Sequence, residues 1–320
     1  MTSGLIVNPY SGRRNRRGLA LAERLERSPG VSIAILERFS ELPGILAGFA
    51  RQGVDTVFIS SGDGTVHAVQ SELAERNPFA ILPRLAILPH GTTNMTAADL
   101  GLRAAGLARQ AALISDPGVF GHADTLKLRA TVKVANAADG RVRHGMFLGT
   151  GAIWRGVRFC QDRIHATGLK GDWATGVTLV AGLARAVLGR AGPGKDRLDR
   201  PYRMRIDADG ETLADSLQVV FFATTLDRLI LGTRPFWGGG TKPLRATAIA
   251  HPRPSLLWTA RILYGGEERN LPPQCLSFAA RSIAVTVNCS FVMDGEILDP
   301  RETEPLRIET GPEFTYLSSS

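Results

Sequence analysis

At 320 residues the chain is long enough for two domains, and 44% hydrophobic with 21% charged residues excludes a wholly disordered polymer. The formal net charge of +8 suits anionic partners such as nucleic acid, nucleotide phosphates or an anionic lipid leaflet, and does not choose among them. Aromatic residues make up only 7% and do not interleave with basic ones, which argues against a single-strand nucleic-acid binder; no nucleic-acid partner is expected. Cys160, Cys275 and Cys289 are odd in number, widely spaced and without CxxC, as expected of reduced thiols in a cytosolic compartment. No basic segment followed by an apolar one suggests a signal peptide. The longest helical apolar stretch, residues 174–188, holds Arg185, Gly176 and Gly182 and is too short and polar to span a bilayer. The expectation is a cytoplasmic protein, with any membrane contact peripheral at the inner face.

In chain order, residues 5–7 form a short apolar strand closed by the turn Asn8-Pro9-Tyr10-Ser11-Gly12. Residues 17–27 have helical apolar spacing, 31–36 read as a strand and 42–52 as a helix. Residues 54–59 are a buried-type strand, 66–75 a helix, 85–88 a strand and 97–114 a further helix. Such alternation predicts a parallel sheet with crossover helices. Near residue 120 the pattern changes: 125–135 and 142–149 form a hairpin about Asp139-Gly140. Residues 174–189 read as one helix, 190–200 as a surface loop, and short strands follow at 202–206, 217–224, 244–250, 277–280, 283–287 and 290–293. The predicted fold is an α/β N-terminal domain, residues 1–122, and a mainly antiparallel β domain, residues 123–299, with 300–320 packing back on the first.

The strand at 54–59 runs into Ser60-Ser61-Gly62-Asp63-Gly64-Thr65 and then a helix. Glycines at the carboxyl end of a parallel strand permit close backbone approach, and the helix start offers free N–H groups and positive partial charge, which together suit a phosphate. Alone, this turn reads equally as an ordinary strand–turn–helix with an Asp cap. Pro89-His90-Gly91-Thr92-Thr93-Asn94 repeats the strand-to-helix pattern, and with the first turn makes three such turns on one sheet edge, where open α/β folds bind ligands. There is no GxxxxGK[ST], and no GxGxxG after the first strand; Gly149-Thr150-Gly151 reads as a tight strand bend. Arg13, Arg14, Arg16 and Arg17 suit phosphate or anionic headgroups and equally a solvated helix start. Trp154, Trp173, Trp237 and Trp258, all in the C-terminal half, suit either a lipid-facing surface or plain core.

The ordered set Asn-Pro-x-Ser-Gly, Gly-Asp-Gly-Thr, Pro-x-Gly-Thr-x-Asn and Asp294-Gly295-Glu296 resembles the diacylglycerol kinase catalytic family, which includes bacterial lipid kinases and sphingosine kinases and is related to NAD kinase. The resemblance implies an active site in the cleft between an α/β nucleotide domain and an antiparallel β domain. It implies ATP and Mg2+ as cofactors and a lipid alcohol, diacylglycerol or similar, as substrate at a membrane surface. Nucleotide contacts would come from Asn8, Pro9, Ser11, Gly12, Ser40, Ser61, Gly62, Gly64, Thr65, Val66, His67, Gly91, Thr92 and Asn94. Asp63 would order phosphates and metal, and Glu296 would be the general base, since a primary alcohol needs a carboxylate to accept its proton. By itself Asp294-Gly295-Glu296 also reads as a polar hairpin turn.

Departures from the family pattern are Ser61 for its first glycine, Ala68 for Glu, Met95 for Asp and Ala98 for Arg. The stretch 237–243 lacks the carboxylate that holds a structural magnesium in many bacterial members, so metal ligands stay unassigned. Two alternatives remain beside the lipid kinase: an NAD kinase-like enzyme with a soluble acceptor, and a nucleotide-binding regulator without catalysis. A homodimer is left open.

Overall fold

The computed structural model describes residues 2–12, 14–91, 94–102, 106–116, 126–167, 200–266 and 269–318. Trp173, the helix read at 174–189 and most of the loop read at 190–200 lie outside the described residues. The chain divides into two compact units, Met1–Ala130 with Pro312–Ser320, and Thr131–Gly311.

The first unit is built on strands β1 (Ser3–Val7), β2 (Val31–Ile35), β3 (Thr56–Ser61) and β4 (Arg84–Pro89). They pair in parallel in the order β2-β1-β3-β4, with Leu5 opposite both Ile33 and Phe58, and Phe58 opposite Ala86. Strands buried on both faces read as continuous apolar runs, and β1 and β3 are buried at every residue. Tyr316 and Leu317, at the end of β15 (Leu306–Leu317), extend this sheet in parallel beside Leu85 and Ala86. Helices α1 (Arg16–Leu25), α2 (Leu42–Arg51), α3 (Asp63–Arg76), α4 (Met95–Leu100) and α5 (Leu107–Ser115) alternate with the strands. One core gathers Leu5, Val7, Leu21, Leu25, Phe58, Leu88, Ile114 and Leu317.

The single helix expected over 97–114 is two. At Gly101 the backbone turns extended (φ −86, ψ 177), and Leu102 N–H leaves the helix to donate to Ile87 O at 3.0 Å. A Cβ on Gly101 would stand 2.6 Å from Ala97 O, so this close return of the chain needs glycine.

The second unit is antiparallel. Its strands are β5 from Thr131 on (Leu126–Ala135 in all), β6 (Arg143–Gly145), β7 (Phe147–Gly151), β8 (Tyr202–Ala208), β9 (Glu211–Thr224), β10 (Leu244–Ala250), β11 (Cys275–Ala280), β12 (Ser282–Val287), β13 (Phe291–Met293), β14 (Glu296–Leu298) and the start of β15. The order is β14-β13-β7-β9-β8-β12-β15, with β10 and β11 added on β9 and β6 on β5. In β8 the two-residue period places Met204, Ile206 and Ala208 inside and Arg203 and Arg205 outside. The mixed class read from the sequence is therefore borne out: parallel N-terminal strands, antiparallel C-terminal ones.

The hairpin expected from 125–135 and 142–149 forms only through β6, where Val134 pairs Arg143. After Met146 the chain changes partners, and β7 pairs β9 and β13 instead. Gly151 (φ 70) is indeed a bend, and it feeds directly into α6 (Ala152–Thr167), a helix the sequence pattern did not indicate. A second helix, α7 (Leu256–Tyr264), was likewise unread.

Candidate functional site

The carboxyl ends of β1, β3 and β4 carry the three turns, and side chains tie the turns together. Asn8, just past β1, donates through Nδ2 to Thr65 Oγ1 at 2.9 Å, and Ser61 Oγ donates to the same oxygen at 2.6 Å. The first and second turns thus share one buried hydroxyl. Ser11 Oγ reaches His90 O in the third turn at 3.4 Å.

The second and third turns meet backbone to backbone. A Cβ on Gly91 would lie 2.1 Å from Gly62 Cα, so only glycine permits this approach. Asn94 closes the third turn: its Oδ1 accepts Gly91 N–H at 2.8 Å, its Nδ2 donates to Gly91 O at 2.7 Å, and its backbone is left-handed (φ 49), which asparagine tolerates. Asp63 then locks the pair. Its Oδ2 accepts Met95 N–H at 3.0 Å and its Oδ1 accepts Thr96 N–H at 2.9 Å, so a carboxylate in the first turn of α3 caps the start of α4.

Gly62 holds the N-cap of α3, so no side chain occupies the place where a capping oxygen would sit. Gly64 is exposed, and a Cβ built there meets nothing within 4 Å. The protein's own packing does not demand glycine at 64. It does leave the start of α3 without side chains at Gly62 and Gly64, where the positive end of a 14-residue helix favours an anion.

A polar network underlies the turns. Asn15 caps α1 by accepting Gly18 N–H at 2.9 Å, and its Nδ2 donates to Ser60 O at 2.7 Å, Ser60 Oγ at 3.0 Å and Asn8 O at 3.1 Å. Ser60 Oγ lies 2.8 Å from His90 Nδ1, and the Gln110 amide 3.3 Å from His90 Nε2. Burial, helped by the Arg17 charge, lowers the imidazole to about 4 against the opposing hydrogen bond of Gln110, so the ring is neutral at neutral pH. Asn15, Ser60 and Gln110 were not singled out from the sequence. Asn15 carried a signal, an asparagine directly ahead of a helical run; Ser60 and Gln110 carried none.

The remaining expected contacts separate. Pro9 and Gly12 line the first turn, with Gly12 at φ 56. Ser40 is exposed in the short turn Phe39–Glu41 that follows β2. Val66 and His67 are buried in α3, and Val66 N–H donates to Gly62 O at 3.4 Å within the helix. Thr92 and Arg13 lie outside the described residues.

In the C-terminal unit, Asp294-Gly295 is a two-residue hairpin turn with positive φ at both positions (45 and 94), the Asp-Gly signature of a tight turn between β13 and β14. Buried Asp294 accepts Met146 N–H at 2.9 Å and Phe147 N–H at 3.0 Å. That grip is what stops β6 at Met146 and redirects the chain into β7. Glu296, one residue past the turn, is exposed. Arg143 chelates Asp139 through two hydrogen bonds, which holds the Asp139 carboxyl at about 2; the Arg143 guanidinium is in turn raised, first by Asp139 and further by the charge of Glu296. Among the described residues no three His, Cys, Asp or Glu side chains cluster to hold a metal. No described helix is long and apolar enough to cross a membrane.

Residues 2–122, which hold the first three of the four motifs, match the family model of the diacylglycerol kinase catalytic domain. No curated protein matches the chain. A crystal structure of a diacylglycerol kinase from Bacillus anthracis str. Sterne aligns with TM-score 0.62 at 19% identity, covering 99% of this chain and 97% of that one. Another from the same organism, whose kinase assignment is itself provisional, aligns with TM-score 0.64 at 19% identity over the same shares, 99% and 97%. A yeast NADH kinase complexed with NADH is a more distant likeness, with TM-score 0.47, 11% identity and coverage of 100% and 84%.

Proposed function

We propose that this chain, with its N-terminal match to the diacylglycerol kinase catalytic domain, is an ATP-dependent kinase that moves the γ-phosphoryl group to the hydroxyl of diacylglycerol or a similar lipid alcohol. The observation that carries the nucleotide part is Gly64, where an exposed helix start is kept bare although a Cβ would meet no protein atom. The family match supports the lipid acceptor.

Residues 1–122 form the ATP-binding part and 123–299 the lipid part. Asn8, Pro9, Ser11 and Gly12 would border the phosphates on one side and Gly91 and Asn94 on the other, Thr92 would contact them, and Ser40 would stand near the nucleotide. Ser61, Gly62, Gly64 and Thr65 line the floor, with Val66 and His67 behind them in α3. Asp63 fixes the third turn against the second, so the donors are already placed when the polyphosphate arrives and little reorganisation is needed. Glu296 accepts the proton of the acceptor hydroxyl as the oxygen attacks phosphorus.

A resident metal does not fit the described residues: both Asp63 oxygens already accept main-chain N–H groups, and no ligand cluster surrounds them. Mg2+ would instead travel with ATP, supplying charge neutralisation to the phosphates.

The test is ATP consumption with a panel of lipid alcohols in mixed micelles, beside NAD as a soluble acceptor. Turnover dependent on a lipid alcohol supports the reading. Stimulation by NAD alone, or nucleotide binding without any turnover, rejects it in favour of the soluble-acceptor enzyme or the regulator.

A further inference from the structure

In the C-terminal unit, the segment from Leu226 to Trp237 and helix α7 form one surface. Arg234 N–H donates to Leu263 O at 2.8 Å, in the last turn of α7. The Arg269 guanidinium joins the two pieces, donating to Ile262 O and Gly266 O on one side and Arg234 O on the other. Arg269 also lies 5.5 Å over the Trp237 ring, and Arg261 lies 5.8 Å over Trp258. Two of the tryptophans noted in the sequence thus carry guanidinium groups on their faces.

At the tip of the loop stands Leu231, 68% exposed, in the left-handed region (φ 57, ψ 25). Holding a leucine there costs backbone energy and leaves its side chain in water, two penalties that folding alone does not reward. The loop is closed beneath it by Leu229 N–H to Thr233 O (2.8 Å), Gly232 N–H to Leu229 O (3.0 Å) and Thr233 Oγ1 to Ile230 O (3.0 Å), so the tip is held in place. Tyr264, the last residue of α7, is 59% exposed beside Leu263. Arg228, Arg234 and Arg261 are exposed on the same two pieces. The nearby acid Asp227 is neutralised by Arg245 at 2.6 Å; Glu267 and Glu268 lie outside the described residues.

We propose that this surface seats the protein on an anionic phospholipid bilayer, with Leu231 and Tyr264 entering the interface and the arginines meeting lipid phosphates. Single protruding apolar side chains need a soft medium that closes around them, and hydrocarbon beneath headgroups is such a medium. Guanidinium groups bind phosphate through paired hydrogen bonds, and the net charge of +8 draws the whole chain to an anionic leaflet. The inference deepens the lipid-kinase reading and takes its purpose from it, but its test needs no turnover.

The test is co-sedimentation of the full chain with vesicles of phosphatidylcholine plus phosphatidylglycerol, against phosphatidylcholine alone. Leu231→Gly removes the side chain at a backbone position that glycine prefers, so folding is preserved and thermal unfolding checks it. Expected are binding to the anionic vesicles, on the order of a tenfold loss with Leu231→Gly, a larger loss with Leu231→Gly plus Tyr264→Ser, and a salt-sensitive loss with Arg261→Gln. Equal partition of parent and variants, or no binding of the parent, overturns the proposal. If micellar lipid is phosphorylated while vesicle binding ignores Leu231, the docking surface fails and the kinase reading stands. If vesicle binding depends on Leu231 and no lipid is phosphorylated, the reverse holds.

Discussion

The Asp63 carboxylate accepts Thr96 N–H at 2.9 Å, and its other oxygen takes Met95 N–H at 3.0 Å, so one side chain serves the starts of two helices. Its charge lies in the first turn of α3, which contains it, and against the first turn of α4, which it caps, and both helix dipoles favour a negative group there.

Replacing Asp63 by asparagine keeps the shape but turns an amide nitrogen toward one of the two N–H donors. The expected loss is about 1–3 kcal/mol of stability in the N-terminal unit, with weaker ATP binding as the third turn loosens. Urea unfolding followed alongside nucleotide binding checks this. An Asp63→Asn chain as stable as the parent would show that the double cap is not maintained in solution.

Gly64 and Gly91 should respond in opposite ways to the same added methyl group. Gly64→Ala meets no protein atom within 4 Å and lies in a helix, so it should stabilise by about 0.5–1 kcal/mol while raising the KM for ATP. Gly91→Ala drives a Cβ to 2.1 Å from Gly62 Cα and should destabilise by several kcal/mol. Thermal unfolding with ATP kinetics separates the two; unchanged kinetics in Gly64→Ala would remove the main support for the phosphate cradle.

His90 links pH to stability. Its folded value, about 4, lies below the ordinary 6.5, so the proton binds more tightly to the unfolded chain. The contribution is fully present above about pH 6.5 and is lost as pH falls toward 4, amounting to about 3 kcal/mol across that window. His90→Gln should flatten the decline between pH 7 and 4.5 in urea unfolding. An equally steep decline in the variant would place the proton-linked loss elsewhere.

Asp294→Ala should destabilise the C-terminal unit by about 1–3 kcal/mol, because the N–H groups of Met146 and Phe147 lose their shared acceptor. Hydrogen exchange at these two amides is the direct readout, and both should speed up. Protection equal to that of the parent would mean other groups hold the break between β6 and β7.

The sequence made the parallel half legible because β1 and β3 are buried throughout around the apolar runs Leu5-Ile6-Val7 and Val57-Phe58-Ile59, and each ends in a turn rich in Gly, Ser or Asn. What it hid depends on partners far away in the chain. Met146 interrupts the hairpin because Asp294, 148 residues on, takes its N–H. The capping role of Asp63 depends on residues 32 and 33 positions later. Helix α6 was missed because it starts directly from strand β7 at Gly151, with no intervening loop. Residues 300–320 are expected to pack back on the first domain, but not as a strand, because Gly311, Pro312 and Glu313 look like a turn; the chain continues through them to pair Tyr316 with Leu85. The buried network of Asn15, Ser60, His90 and Gln110 likewise joins four elements, and no single stretch of sequence announces it.

The measurement that bears most directly on the central claim is transfer of labelled γ-phosphate from ATP to a micellar lipid alcohol by the parent chain and by Glu296→Gln. Glu296 is exposed, so the variant should unfold within about 0.5 kcal/mol of the parent and bind ATP equally well, while turnover falls about a hundredfold or more. Undiminished turnover in Glu296→Gln would contradict its role as base, and no transfer to any lipid by the parent would contradict the kinase itself.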